Sequence, residues 1–138
     1  MKKILVSLFL GLVLFSCTDE PMVETLDSKQ IYYFRLNSRD WKRSADDTGL
    51  NSYYHATFNI RGLNDLVFDK GAILAYLDNG DYQQILPYVR HYENTEGVRW
   101  TKTIDYDFEV GKITFYVTYS DFAKEQPEGM SFKVILMR

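Results

Sequence analysis

The side chains that most often carry out catalysis are few in this sequence and lie far apart. The chain has two histidines, His55 and His91, and one cysteine, Cys17. Several predicted strands separate the histidines, and neither has the spacing of a metal-binding pair. The H-E-x-x-H, G-x-S-x-G and glycine-rich phosphate-binding motifs are also absent from the sequence. We therefore predict no metal, no cofactor and no enzymatic activity, with a glycan-cleaving enzyme as the catalytic alternative.

Two groups of carboxylates have the ligand type that calcium prefers, but simpler roles account for both. Asp105, Asp107 and Glu109 share one face of a predicted strand, where successive side chains lie roughly 7 Å apart. Calcium takes about six to eight oxygen ligands at roughly 2.3–2.6 Å, which one strand cannot supply. Asp78 and Asp81 flank an Asn-Gly pair, and turn chemistry explains that segment without an ion. We expect a solvated acidic face and a hairpin turn.

Aromatic side chains give the clearest indication of a binding function. The chain has 11 Tyr, 9 Phe and 2 Trp, and such enrichment is first of all typical of half-buried sheet surfaces. Rings displayed on a sheet or loop also stack on sugar rings and anchor protein interfaces. Trp100 falls on an apolar strand face and is expected in the core. The candidate ligand-binding rings, which lie on polar faces or beside turns, are Trp41, Tyr53, Tyr82, Tyr88, Tyr92 and Tyr116.

The N-terminal segment has the pattern of an export signal that ends at the single cysteine. Lys2 and Lys3 precede residues 4–16, which carry no charge and are shorter than the roughly 20 residues of a membrane span. The sequence LFSC, ending at Cys17, resembles the bacterial lipobox, whose cysteine is lipidated and becomes the new N-terminus. A plain signal peptide is the alternative, but it would leave a free thiol in an oxidising compartment. We predict cleavage before Cys17 and stable attachment through its acyl chains.

The residues after Cys17 bear on location, and the overall charge bears on partners. Thr18-Asp19-Glu20 resembles the surface-export signal of Bacteroidetes lipoproteins, which predicts an outer-membrane lipoprotein exposed on the cell surface. The periplasmic side of the outer membrane is the alternative. With a net charge of −3 and no basic stripe, the chain is not expected to bind nucleic acid. Polar residues 17–29 predict a tether, and residues 30–138 predict one domain.

Beyond residue 30 the dominant period of the sequence is two, which predicts β-strands. Apolar side chains alternate with polar ones in residues 53–60 and 97–119, whereas residues 72–77 are apolar throughout and predict a central strand. Residues 62–71 break the period and allow one helical turn, and Pro87 predicts an edge, a bulge or a break. Seven to nine strands at this spacing predict an antiparallel β-sandwich, immunoglobulin-like in architecture but without the immunoglobulin disulfide.

One pair of segments resembles a pattern found in small Bacteroidetes lipoproteins. GAILAYL at residues 71–77 and YQQILPY at residues 82–88 are similar to a glycine and apolar strand, a short turn, an aromatic residue and Leu-Pro-Tyr. FNI at residues 58–60 and the closing strand at 131–136 also match, so that the likeness spans residues 54–138. Gln83-Gln84 departs from it, where an aromatic residue is expected. The resemblance implies a β-sandwich on a lipid tether and no catalytic residues, in a group without an assigned function.

These observations lead to two main hypotheses about function. The first is a non-enzymatic surface module for binding or adhesion, whose ligand is a glycan or a protein. The alternative is a structural or accessory subunit of an envelope assembly, joined by strand addition at a sheet edge. Exposed rings on a concave surface would favour the first, and an exposed apolar patch would favour the second.

Overall fold

The computed structural model describes residues 22–26 and 28–138, so that the predicted leader (residues 1–16) and Cys17 lie outside the described residues. The described part is built almost entirely from strands, with one short α-helix, α1 (Asp65–Lys70), and one 3-10 turn (Ser38–Asp40). The strands are β1 (Met22–Leu26), β2 (Lys29–Leu36), β3 (Lys42–Ala45), β4 (Ser52–Asn59), β5 (Ala72–Asp78), β6 (Gln83–Ile85), β7 (Tyr88–Glu93), β8 (Arg99–Glu109), β9 (Lys112–Tyr119) and β10 (Met130–Met137).

The strands form two antiparallel five-stranded sheets. Sheet 1 has the order β1-β2-β10-β5-β6, and sheet 2 has the order β3-β4-β9-β8-β7. The predicted all-β sandwich is therefore confirmed, although the described residues form ten strands and not the seven to nine that were predicted. Its likeness to immunoglobulin domains is one of architecture, because β10 lies in the middle of its sheet. In immunoglobulin domains the last strand lies at an edge.

The core lies between the two sheets and follows from strict alternation along the central strands. In β9, Ile113, Phe115 and Val117 are buried, and Phe132 and Val134 of β10 face them. The rings of Phe115 and Phe132 stack with their centroids 4.0 Å apart, which joins the centres of the sheets. Burial of each such side chain contributes on the order of 2–3 kcal/mol. The amphipathic period of the sequence thus decides which face of each strand enters the core.

Local signals in the sequence are confirmed at the helical turn and at the proline. The side chain of Asn64 caps α1 by accepting a hydrogen bond from the backbone N–H of Val67. The chain breaks at the Leu86–Pro87 peptide, which is cis, and there it crosses from β6 in sheet 1 to β7 in sheet 2. Within the segment predicted as a tether, Met22–Leu26 pairs with β2 as the edge strand β1.

The sandwich has two ends that differ in the segments closing them. One end, here called the crossover end, carries the 3-10 turn and residues 120–129, the β9–β10 crossover. The other, the helix end, carries α1 and the β8–β9 hairpin, where Gly111 donates its N–H to the carbonyl oxygen of Leu63. Among the described residues, none of the helices has the length and apolar character needed to cross a membrane.

Candidate functional site

Trp41 does not belong to a ligand-binding surface, contrary to its sequence prediction. It is only 3% exposed and lies in the core, where its ring meets that of Phe132 edge to face at 6.3 Å. Its indole N–H donates a hydrogen bond to the carbonyl oxygen of Glu128 at 3.0 Å. The signal that suggested display was its position beside polar residues, but the β9–β10 crossover folds over this end and covers the ring.

The other predicted rings are spread over the domain and do not form one surface. Tyr82 is 58% exposed between β5 and β6. Tyr88 is partly buried against the core, with the guanidinium of Arg90 5.1 Å from its ring centroid. Tyr53 lies on the outer face of sheet 2, and Tyr92 lies on β7 at the crossover end.

Tyr53 belongs to a small cluster on the outer face of sheet 2. Its ring lies 5.8 Å from that of Tyr116, and the imidazole of His55 lies near both. His55 Nε2 is 3.0 Å from Ser44 Oγ on the neighbouring strand, so this histidine is engaged in a cross-strand contact. Burial and a hydrogen bond to Asp107 raise the pKa of Tyr116 to about 12, so its hydroxyl remains a donor at neutral pH. These side chains therefore interact mainly with one another across the strands.

A cavity at the crossover end combines a ring predicted from the sequence with one that was not. Tyr92 and Trp100 are cross-strand partners on β7 and β8, and their rings stack with centroids 5.5 Å apart and planes 11° apart. They line a cavity of about 520 Å³ whose opposite side is the β9–β10 crossover. A second depression of about 390 Å³ meets the same two rings near His91 and Arg99. Such volumes are typical of small-molecule sites.

The polar lining of the cavity carries more negative than positive charge. Lys102, which is only 8% exposed, donates a hydrogen bond to Glu128 Oε1 at 2.7 Å. Asp121 and Glu125 add two further carboxylates, while Asn94 and Gln126 contribute amides. Burial, followed by the charges of Glu128 and Glu125, raises the pKa of Tyr119 to about 12. The phenol of Tyr119 therefore stays neutral at pH 7. It lies beside both hydrogen-bond donors and hydrogen-bond acceptors of the cavity lining.

Hydrogen bonds to the body of the sandwich hold the crossover wall of this cavity in place. Tyr54 donates its hydroxyl to the carbonyl oxygen of Lys124 at 2.8 Å, and Ser38 donates to that of Pro127 at 2.7 Å. The amide of Gln126 donates to the carbonyl oxygens of Ser38 and Trp41. Because these bonds span more than 60 residues of sequence, the wall is set by tertiary contacts and the cavity is preformed.

Trp100 was not predicted as a site residue because the alternation along β8 places it on the same face as residues that are buried. Lys102 and Ile104 follow it on the same face of β8, and both are buried. At the crossover end the cavity lining contains no residue of sheet 1, so the ring of Trp100 remains partly open. The signal that could have revealed Trp100 is Lys102, since the ammonium group of a lysine on an inward face needs either a charged partner or access to solvent.

The two groups of carboxylates lie in different surroundings, since Asp78 belongs to a turn whereas Asp105 is partly buried and departs from the expected solvated face. Within residues 22–26 and 28–138, no group of three or more His, Cys, Asp or Glu side chains has the geometry of a metal site. Asp78 accepts a hydrogen bond from the N–H of Gly80, whose φ is +82°, as in an ordinary turn. Burial, with a smaller effect from the charge of Asp107, raises the pKa of Asp105.

Comparison with known proteins adds no assignment to this geometry. No protein-family model, no curated protein and no solved structure matches the chain. The chemistry of the cavity has to be inferred from its own side chains.

Proposed function

We propose that this protein is a membrane-anchored bacterial lipoprotein whose β-sandwich is a non-enzymatic binding module for a neutral glycan. The ligand lies in the cavity at the crossover end. The observation that carries the proposal is the stacked pair Tyr92–Trp100 on one side of a preformed cavity of about 520 Å³. Such a flat apolar surface beside fixed polar groups is the usual composition of a specific small-ligand site.

The rings and the polar groups suit the two kinds of surface that a sugar presents. A pyranose has an apolar C–H face, which packs on an aromatic ring, and a rim of hydroxyl groups that both donate and accept hydrogen bonds. Asn94 and Lys102 supply donors, while Glu125 and Asp121 supply acceptors. A purely apolar ligand would leave these polar groups without water or partners, which costs binding energy.

The charge of the cavity favours an uncharged sugar over an anionic one. Lys102 is matched by Glu128, which leaves Glu125 and Asp121 as uncompensated negative charges. The pKa of Tyr119 is raised first by burial and then by the charges of Glu128 and Glu125, because nearby carboxylates disfavour another negative charge. A sulfate, phosphate or carboxylate on the ligand would meet the same repulsion.

A binding role fits the cavity better than glycan cleavage. Glycosidases use a pair of carboxyl groups on either side of the bond they cleave, one of which donates a proton. Here Glu128 is held by the ammonium group of Lys102, and its carbonyl oxygen accepts a hydrogen bond from the indole N–H of Trp41, which fastens the crossover wall. Its position stabilises the wall of the site.

The alternative function, an accessory subunit of an envelope assembly, is favoured by a different surface. At the helix end, Leu66 and Phe68 of α1 are exposed, as are Phe108 and Val110 of the β8–β9 hairpin. The ring centroids of Phe68 and Phe108 lie 5.9 Å apart, so that apolar side chains of the helix and of the hairpin are in contact. Exposed apolar patches of this kind mark protein contacts.

The location that we propose is the outer membrane, with the domain exposed on the cell surface. The lipobox-like LFSC sequence, the acidic residues after Cys17 and the similarity to small Bacteroidetes lipoproteins support it. A Cys17→Ser variant is expected to lose lipid labelling and membrane association in cell fractionation. Protease treatment of intact cells should degrade the wild-type domain. Membrane-bound Cys17→Ser protein would contradict the anchor, and full protection from protease would favour the periplasmic side.

The ligand proposal is tested by glycan-array binding of the mature lipidated protein in detergent micelles. We expect selective binding to uncharged glycans, reduced at least about tenfold, or roughly 1.4 kcal/mol, in Trp100→Ala and Tyr92→Ala. Tyr82→Ala is the matched control, because it removes an exposed ring that lies outside the cavity. Unchanged binding by a folded Trp100→Ala protein, or selective binding of anionic glycans, would refute the assignment of the site.

A further inference from the structure

The outer face of sheet 1 is largely apolar, although it lies outside the core. In an antiparallel sandwich the outer face of each sheet usually meets water, so that polar side chains alternate with buried ones. In β2, β5 and β10 this alternation is weak, because many of the residues between the buried ones are apolar as well. Such outward side chains are partly exposed and are not among those that pack against the core in the described residues. They are Ile31, Tyr33, Leu74, Tyr76, Ile135 and Met137.

Strand pairing joins these side chains into one surface centred on β10. Ile135 pairs with Ile31 of β2 on one side and with Leu74 of β5 on the other. In the next row along the strands, Tyr33 and Tyr76 lie on either side of β10. Because adjacent strands are only about 4.8 Å apart, apolar side chains of three strands are neighbours. Exposed apolar surfaces of this kind mark interaction sites.

The outer face of sheet 2 has a different character. There, polar side chains interact with one another across the strands. Thr57 Oγ1 lies 2.9 Å from Thr114 Oγ1, and Tyr116 donates its hydroxyl to a carboxylate oxygen of Asp107. Such a face is compatible with water, whereas removing the apolar face of sheet 1 from water is favourable.

Two charged residues on the outer face of sheet 1 are placed to pair with a second copy of the chain. Arg35 of β2 and Asp78 of β5 both pair with Ser131, so they lie in one row on opposite sides of β10. Neither belongs to an ion pair within the part of the chain that the structure describes. A two-fold rotation about an axis along β10 exchanges the β2 and β5 sides, and therefore places Arg35 opposite the partner's Asp78. The same rotation places Ile31 opposite the partner's Leu74.

The lysine near the centre of this face does not oppose such a pairing. Lys133 lies on β10, but its Nζ is 4.7 Å from the ring centroid of Tyr76 and donates a hydrogen bond to Oε1 of Gln83 on β6. The ammonium group therefore leans toward the β6 side of the sheet. A two-fold axis along β10 would direct the ammonium groups of the two copies to opposite sides, each beside its own aromatic ring.

The area of the face is sufficient for a specific dimer. Strands β2 and β10 have eight residues each, which corresponds to a length of about 26 Å. With a spacing of about 4.8 Å between the strands, and with β1 and β6 shorter, two such faces would bury at least about 1,000 Å² in total. A specific protein interface is expected to bury roughly this area or more.

We propose that the protein forms a symmetric dimer through the outer face of sheet 1, with the two-fold axis along β10. The partner is a second copy of this chain, because the face is complementary to itself in both apolar contacts and charge. The cavity lining contains no residue of sheet 1, so the interface and the proposed ligand site are separate. The dimer presents two such sites, which raises its avidity for a ligand with repeated units.

Crosslinking in isolated cell membranes tests which surface pairs. The wild-type chain has the single cysteine Cys17 and sets the background. An Ile135→Cys variant treated with a short bismaleimide is expected to give a crosslinked dimer, because Ile135 lies near the axis. Thr103→Cys is the matched control, since it is also partly exposed but lies on the outer face of sheet 2, and it should give no dimer above background. Equal yields at the two positions, or Ile135→Cys crosslinked only to other proteins, would overturn the proposal.

Charge reversal tests the symmetry of the pair. Arg35→Asp and Asp78→Arg each place like charges opposite one another, so each should raise the dissociation constant of the dimer at least about tenfold. An equimolar mixture of the two variants should restore the dimer, because one variant then supplies two negative charges and the other two positive charges. Sedimentation equilibrium of the lipidated protein in detergent micelles measures all three. A monomeric wild type would overturn the dimer. A mixture that stays dissociated, although both variants keep the wild-type circular dichroism, would overturn the axis along β10.

Discussion

The ion pair inside the cavity should respond very differently to removal of its two partners. Lys102 Nζ lies 2.7 Å from Glu128 Oε1, and the lysine side chain is 10% exposed whereas the glutamate side chain is 73% exposed. Exposed pairs contribute about 0.2–1 kcal/mol, and breaking a buried pair costs about 3–5 kcal/mol. This pair has one buried and one hydrated partner, so its contribution should lie between these two ranges. Glu128→Gln should lower the free energy of unfolding by about 1–2 kcal/mol, because it leaves the desolvated ammonium group of Lys102 without a matching charge.

Lys102→Met is the matched change, since it removes the buried charge together with its need for a partner. Glu128 is exposed and is hydrated when released, so this variant should lose less than about 0.5 kcal/mol. Urea unfolding followed by tryptophan fluorescence measures both, and Glu128→Gln should also lower the melting temperature by roughly 4–8 °C. The double variant should be as stable as Lys102→Met. The reasoning is refuted if Lys102→Met is destabilised as much as Glu128→Gln.

Three further predictions concern burial and charge elsewhere in the sandwich. A phenol ionising near pH 12 should disappear from the ultraviolet titration in Tyr119→Phe. Because the unfolded chain loses this proton near pH 10, the corresponding stability should be lost between about pH 10 and pH 12. Ionisation of Tyr119 near pH 10 in the folded protein would contradict the burial of the group. Asp105→Asn should raise the melting temperature at pH 7, because the raised pKa of Asp105 means that its charge is disfavoured in the folded state, and the gain should vanish below pH 3.8. An equal gain at both pH values would point to another cause. Phe132→Ala should cost about 3–5 kcal/mol in urea unfolding, since it opens a cavity against Phe115; a cost below about 1 kcal/mol would mean that the sheets repack.

Features that depend on neighbouring residues could be predicted from the sequence. The alternation in β4, β8 and β9, the Asn79-Gly80 hairpin, the helical turn at α1 and the break at Pro87 all follow from local backbone and side-chain preferences. The order of strands in the two sheets could not be predicted in this way. Strand order depends on pairing between segments that are distant in the sequence, such as β2 and β10, which are about 100 residues apart. No local signal encodes such a pairing.

The candidate site shows the same division at the level of single rings. Tyr92 was predicted as a binding residue and lines the cavity, whereas Trp41 was predicted as displayed and is buried. Trp100 was assigned to the core and proves to be the partner of Tyr92. Alternation tells which face of a strand a side chain occupies, but it does not tell what covers that face at each level of the sandwich.

The sequence by itself determined most of the strands and their inward faces, because these depend on residues adjacent in the chain. Tertiary structure decided which inward residues stay accessible. Residues 120–129 fold over Trp41 and leave room beside Trp100, although both tryptophans lie more than ten residues away in sequence. The physical reason is that burial depends on the packing of distant segments, and a ligand site forms where that packing is incomplete.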